Sequence, residues 1–261
     1  MALMHVNFFS DVLGMCVNMD VILPQQTQGQ IGMEGKGAQG RLKTMYLLHG
    51  MSDDQTIWQR RTSIERYVSS LGIAVVMPTT HLAFYTDTTY GMKYWTFVSE
   101  ELPRICREFF PQMSDKKEDT LAAGLSMGGY GAVKAALTHP DCYAGCASLS
   151  GSMDIASTSR KFTLDEWRGV FGFDFTGAGE LAGTKHDTFT LARELHAAGK
   201  PLPRIYQWCG TEDSLLDANR RFAALLDEVG AEHAYAESEG DHSWRWWDAH
   251  ITGALTWLLE K

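Results

Sequence analysis

The chain has 261 residues, 44% of them apolar and 21% charged, and carries a formal net charge of −9. That apolar fraction supports a large core and excludes wholesale disorder. The negative balance argues against docking on a phosphate backbone, which needs a basic face.

In chain order, Met1–Pro24 alternates in the manner of strands, and the first ~25 residues read as an antiparallel pair. No basic segment precedes an apolar run there, so no signal peptide is expected. No apolar run approaches the ~20 residues of a membrane span, and a cytoplasmic location is the expectation. Gln25–Arg41, rich in Gly and Gln, reads as a mobile surface loop. Short apolar runs then predict buried strands at Met45–Leu48, Ile73–Met77, Thr120–Gly124, Cys146–Leu149 and Ile205–Cys209, with a weaker one at Ala234–Ser238.

Apolar residues at three- and four-residue spacing predict helices over Trp58–Leu71, Tyr94–Phe110, Met127–Leu137, Leu215–Val229 and Ser243–Leu259. Strand–helix alternation implies a mostly parallel, doubly wound α/β sheet within one domain, 1–261. Residues 152–201 are longer than a crossover requires. They read as an insertion, with helical pieces at Thr163–Val170 and Thr188–Ala198, that helps roof a pocket. The five cysteines, Cys16, Cys106, Cys142, Cys146 and Cys209, are odd in number, and their spacing suits neither a zinc site nor a disulfide framework.

The strongest chemical signal is Gly124-Leu125-Ser126-Met127-Gly128-Gly129, which contains the sequence's one G-x-S-x-G. A strand pattern precedes it and a helical pattern follows, which is the setting of a nucleophile elbow. Small residues must flank a serine in so tight a turn, and a helix N-terminus behind it favours developing negative charge. A serine hydroxyl needs a base, and on such a fold the partners follow in the order acid, then histidine. Of the late histidines, His233 opens a strand pattern and His250 lies within a helical one. His242, in the loop Glu239–Trp244 beyond a strand, is the candidate base. Glu212 and Asp213 both follow the strand ending at Cys209; Asp213, three residues beyond Gly210, is favoured as the group that orients the imidazole.

An oxyanion hole needs two donors. One candidate is the N–H of Met127. The other is that of Met51 or Gly50, in His49-Gly50-Met51-Ser52 after the first parallel strand. His49 reads as structural. His186 with Asp187, and Asp241 with His242, lack a third ligand at usable spacing, so no metal or other cofactor is expected.

With these residues in view, the chain resembles the esterase D-like branch of the α/β-hydrolase fold, in particular the bacterial tributyrin esterase group. The matching segments are Tyr46–Ser52, Tyr85–Gly91, Glu100–Pro103, Gly124–Gly131, Trp167–Gly172 and Trp208–Gly210. The resemblance runs from about Met4 to Leu258 and departs at Gln25–Gly40 and in much of Ser152–Thr163. It implies a serine carboxylesterase acting on short acyl chains, acetyl to butyryl, with acetylated sugars and phenolic esters as further substrate classes. It carries a triad onto Ser126, Asp213 and His242, and oxyanion donors onto the Met51 region and Met127.

Relatives of that branch include acetyl xylan esterases, cinnamoyl esterases and S-formylglutathione hydrolases, so fold alone does not name the substrate. A thioesterase of the S-formylglutathione type and an acyltransferase on the same fold are the alternatives. Aromatics near the expected mouth, Trp58, Phe84, Tyr85, Trp95, Trp167 and Trp244, are candidate pocket walls, each with plain packing as its alternative. Arg168 is a single candidate partner for an anionic group, with pairing to an acidic neighbour as its alternative. The expected partner is a small-molecule ester, with neither nucleic acid nor membrane, and homo-oligomer formation is left open.

Overall fold

Strands β3 (Thr44–Leu48), β4 (Ala74–Pro78), β5 (Thr120–Leu125), β6 (Gly145–Leu149), β7 (Arg204–Gly210) and β8 (His233–Ser238) occupy the six predicted runs to within a residue or two. They belong to a computed structural model that describes residues 1–38, 40–155, 164–172 and 181–260, apart from the side chains of Leu164 and Trp167. β1 (Ala2–Ser10) and β2 (Met15–Leu23) form the predicted antiparallel hairpin, with Ala2 opposite Leu23. Among the described residues one sheet of eight strands results, in the order β1-β2-β4-β3-β5-β6-β7-β8. β3 through β8 run parallel, and β2 joins β4 antiparallel.

Both faces of the parallel part are covered, which is why its strands are near-continuously apolar. Alternation along β3 divides the core: Tyr46 and Leu48 face one cluster, and Met45 and Leu47 the other. The first cluster lies under α4 (Leu102–Phe109), α5 (Met127–Thr138), α7 (Thr188–Ala197) and α8 (Leu216–Glu228). The second lies under α1 (Ile57–Arg61), α2 (Ile64–Val68) and the terminal helix α9 (Trp244–Leu259). Burying each such Leu, Ile or Val contributes roughly 1.5–3 kcal/mol.

Two predicted helices are interrupted. The one expected over Trp58–Leu71 divides into α1 and α2, because Thr62 is extended and its hydroxyl caps back onto the Trp58 carbonyl. The Ser63 N–H donates instead to Asp248 of α9 at 3.0 Å. The one expected over Tyr94–Phe110 runs as α3 (Tyr94–Thr96), a π-turn at Phe97–Glu101, and α4. Pro103, which carries no N–H, sits at the first turn of α4. Glu101 in the π-turn is buried and accepts from the hydroxyl of Ser10 and the N–H groups of Asp11 and Val12, tying this helix to the β1–β2 turn.

Of the predicted insertion, residues 156–163 and 173–180 lie outside the described residues, as does the first residue of the piece expected at Thr163–Val170. The described remainder includes α6 (Leu164–Phe171) and rests on α5: Tyr130 Oη donates to the His186 carbonyl at 2.8 Å. Among the described residues no helix is long and apolar enough to cross a membrane.

Candidate active site

β5 ends at Leu125 and α5 begins at Met127, so Ser126 alone makes the turn between them. Its backbone stands at φ 51° and ψ −118°, a sparsely populated region that persists only where the surroundings impose it. What imposes it is crowding. A Cβ added to Gly124 would lie 2.4 Å from the Gly128 carbonyl carbon. One added to Gly128 would lie 2.4 Å from the Leu48 oxygen and 2.5 Å from the His49 oxygen. Glycine at both positions therefore lets strand, helix and the chain leaving β3 meet at one point. The Ser126 N–H donates to the Leu149 carbonyl at 2.9 Å, which fixes the turn to β6.

Ser126 caps the N-terminus of α5, where the helix carries partial positive charge. The Met127 N–H belongs to the first turn and so has no intrahelical acceptor. The Gly50–Met51 segment leaves β3 alongside, because the Leu48 and His49 carbonyls abut Gly128.

Asp213 and His242 arrive on neighbouring loops, after β7 and β8. The Ser126 hydroxyl is 2.9 Å from His242 Nε2, and His242 Nδ1 is 2.8 Å from an Asp213 carboxylate oxygen. The other Asp213 oxygen accepts the Leu215 N–H at 2.9 Å. Burial by itself raises the Asp213 carboxyl; the hydrogen bond and charge of His242, then the Leu215 N–H and Ser150, outweigh it and hold the group below its ordinary range. Since Asp213 is ionised, Nδ1 of the imidazole carries the proton and Nε2 is left to accept from Ser126. Three residues separated by up to 116 positions are thus within hydrogen-bonding reach at the carboxyl ends of three strands.

The neighbouring candidates are occupied elsewhere. Glu212 accepts the Gly240 N–H at 2.6 Å, and that bond leads the causes that hold its carboxyl low, so Glu212 braces the loop that presents His242. A Cβ on Gly210 would lie 2.0 Å from the Gly240 oxygen, so a bare backbone there lets the two loops touch. His233 is bonded to Asp227 at 2.9 Å, and His250 stacks on Trp208 with ring centroids 4.0 Å apart.

The aromatic candidates divide, and four need correction. Trp58 is fully buried and donates its indole N–H to the Leu48 carbonyl at 3.0 Å, so it supports the strand end. Tyr85 is likewise fully buried and donates to the His49 carbonyl at 2.9 Å. Phe84, 5% exposed, packs in the same cluster against Tyr130. Trp95 stacks on His139, which follows the C-terminus of α5. A helix rises about 1.5 Å per residue, so Trp95 sits some three turns from Ser126. Trp244 is half-buried, edge-on to both Trp58 and Trp247 at 5.3 Å. The Trp167 side chain lies outside the described residues. Arg168 lies 3.6 Å from Asp165 one turn earlier, as its plainer alternative required.

Two contributors escaped sequence reasoning. Trp247 packs edge-on against the His242 ring at 4.9 Å and donates its indole N–H to Ser150 at 3.1 Å. Ser150 in turn is among the groups that hold the Asp213 carboxyl low. The available signal was position: Ser150 follows the end of β6, and Trp247 lies one turn beyond Trp244 on α9.

The Esterase family model, described as "Putative esterase", matches residues 10–258. The acetyl esterase of Caldicellulosiruptor saccharolyticus is 30% identical, over 99% of this chain and 98% of its own. The S-formylglutathione hydrolase of Paracoccus denitrificans is 26% identical, over 85% and 84%. Among solved structures, the fluorophosphonate-binding serine hydrolase FphF of Staphylococcus aureus superposes with a TM-score of 0.88 at 32% identity, covering 100% of this chain and 99% of its own. The chain belongs to this esterase family and is a carboxylic ester hydrolase built on the α/β-hydrolase fold.

Proposed function

We propose that Ser126, His242 and Asp213 act as a catalytic triad and that the enzyme hydrolyses esters of short acyl chains, acetyl to butyryl, through an acyl-enzyme. The observation that carries this reading is the unbroken pair of hydrogen bonds from Ser126 to His242 and from His242 to Asp213, at 2.9 and 2.8 Å.

In the first half-reaction the Ser126 oxygen attacks the acyl carbon as its proton passes to His242 Nε2. The resulting oxyanion is met by the N–H of Met127 and by that of Met51 or Gly50. His242 returns the proton to the departing alkoxide, and the alcohol leaves. Water then repeats the sequence on the acyl-enzyme, with His242 again taking the proton, and releases the carboxylic acid. Asp213 keeps the imidazole in the required tautomer and stabilises the imidazolium. Likeness to the acetyl esterase supports the short acyl range, and half-buried Trp244 is the aromatic wall retained for the pocket.

Substitution Ser126→Ala tests the reading. Turnover of p-nitrophenyl acetate and butyrate should be lost while the fold is retained; sustained turnover refutes it.

A thioesterase reading has a specific observation behind it. The chain is 32% identical to a Staphylococcus aureus S-formylglutathione hydrolase structure, with a TM-score of 0.85 and 99% of each chain covered. The same triad serves both bonds, so kcat/KM measured side by side on S-formylglutathione and on an acetyl ester decides between them.

A further inference from the structure

Resting on the triad and oxyanion hole proposed above, we propose that Tyr85 and His49 are positioning residues that aim the oxyanion-hole N–H groups of Gly50 and Met51, and that Gly131 and Lys134 of α5 form the seat that holds Tyr85 in place.

A trans peptide is planar, with its C=O and N–H pointing in opposite directions. Fixing the carbonyl of one residue therefore fixes the N–H of the next. Tyr85 Oη donates to the His49 carbonyl at 2.9 Å, which sets the His49–Gly50 plane and with it the Gly50 N–H. His49 Nδ1 lies 2.6 Å from the Gly50 carbonyl, which sets the Gly50–Met51 plane and the Met51 N–H. The two side chains thus fix consecutive peptides of the loop that supplies the second oxyanion donor, whichever of the two it is.

The chemistry of His49 is settled by its other nitrogen. Nε2 accepts the Thr80 N–H at 3.0 Å, so the ring proton resides on Nδ1 and is donated to Gly50. Burial keeps this imidazole neutral, lowered to about 4, although the Gly50 bond pulls the other way. The ring therefore orients a dipole and moves no proton at neutral pH.

Tyr85 reaches His49 from an unusual backbone. Phe84 and Tyr85 both have positive φ, 47° and 48°, an arrangement bulky residues hold only where their surroundings impose it. The buried Lys134 Nζ donates to the Tyr85 carbonyl at 2.7 Å and to Thr86 Oγ1 at 3.3 Å. It also lies over the Trp95 ring, 4.3 Å from the centroid. One turn earlier, a Cβ on Gly131 would come 2.5 Å from the Tyr85 ring, so only glycine leaves room for it. The helix that begins at the nucleophile thereby also carries the seat of the residue that aims the facing donors.

Tyr85→Phe removes only the hydroxyl. Its kcat for p-nitrophenyl acetate should fall about 10- to 100-fold, short of the loss from deleting a donor outright. KM should stay within about 2-fold, because the donor acts on the transition state. Affinity for a trifluoromethyl ketone, whose hemiketal oxyanion occupies the same hole, should weaken by the factor that kcat/KM loses. His49→Asn keeps an N–H donor near the Nδ1 position and should retain much more activity than His49→Ala, which decides the matter even if Tyr85→Phe folds poorly. Ser126→Ala is run alongside. If it is inactive while Tyr85→Phe matches the parent in kcat and ketone affinity, or His49→Asn and His49→Ala are equally impaired, the positioning role is overturned and the triad stands. If Ser126→Ala retains turnover, it is the triad that fails.

Discussion

Gly128→Ala puts the meeting of elbow and oxyanion loop to a quantitative test. The added methyl would stand 2.4 Å from the Leu48 oxygen and 2.5 Å from the His49 oxygen. A comfortable carbon–oxygen contact is about 3.3 Å, so both carbonyls must retreat by roughly 0.9 Å. Neither is free to do so. The Leu48 carbonyl is held from the other side by the Trp58 indole and the His49 carbonyl by the Tyr85 hydroxyl. The strain therefore falls on the Gly50–Met51 peptides or on Ser126. Misplacement of about 1 Å at a reacting centre costs about 10²-fold in rate, and overpacking of this kind costs about 1–3 kcal/mol of stability. For a chain of this size that lowers Tm by about 2–6 °C. The assay is kcat/KM on p-nitrophenyl acetate with a thermal melt on the same preparation. A variant within about 3-fold of the parent activity and unchanged in Tm would show that the elbow and the Gly50–Met51 loop are not in mutual contact, and the reasoning built on that contact would go with it.

Asp213→Asn should leave the melt nearly unchanged and lower kcat by about 10⁴-fold, because an amide in place of the carboxylate favours the wrong imidazole tautomer; steady-state kinetics across an ester panel checks this. Trp58→Ala should cost about 3–5 kcal/mol through the cavity it opens beneath the end of β3, read as a drop in the urea midpoint with the m-value unchanged. Burial first, and then Asp54, raises the Asp53 carboxyl to about 6 against the opposing pull of Arg61. The folded chain thus holds a proton that the unfolded chain has released, and stability falls as pH rises from about 4 to about 6. Asp53→Asn should then be the more stable protein at pH 7, by about 1 kcal/mol once screening at this half-exposed group is allowed for. The gap should close below about pH 4, and denaturant titrations at three pH values would reveal the opposite trend if the sign is wrong.

Elements whose cause is local or periodic are legible in the chain alone. Near-continuous apolar runs identify β3 to β8, because a strand covered on both faces has no polar side to show. Gly124 and Gly128 identify the elbow, because no larger residue fits that turn, and chain order then singles out His242 as the candidate base. Features that depend on side-chain direction emerge only from packing. Glu212 and Asp213 are adjacent in the chain, yet one braces Gly240 and the other meets His242, a choice set by which way the turn after β7 presents each side chain. For Tyr85 the sequence leaves pocket wall and plain packing both open; the residue is buried against His49, because the left-handed backbone at Phe84 and Tyr85 turns the ring inward and no hydrophobic period announces such a bend. Ser150 and Trp247 became visible only once β6 and α9 had been laid beside the loop that carries Asp213. Composition and periodicity record how much of a residue is buried; which neighbour it faces is fixed only when distant segments pack.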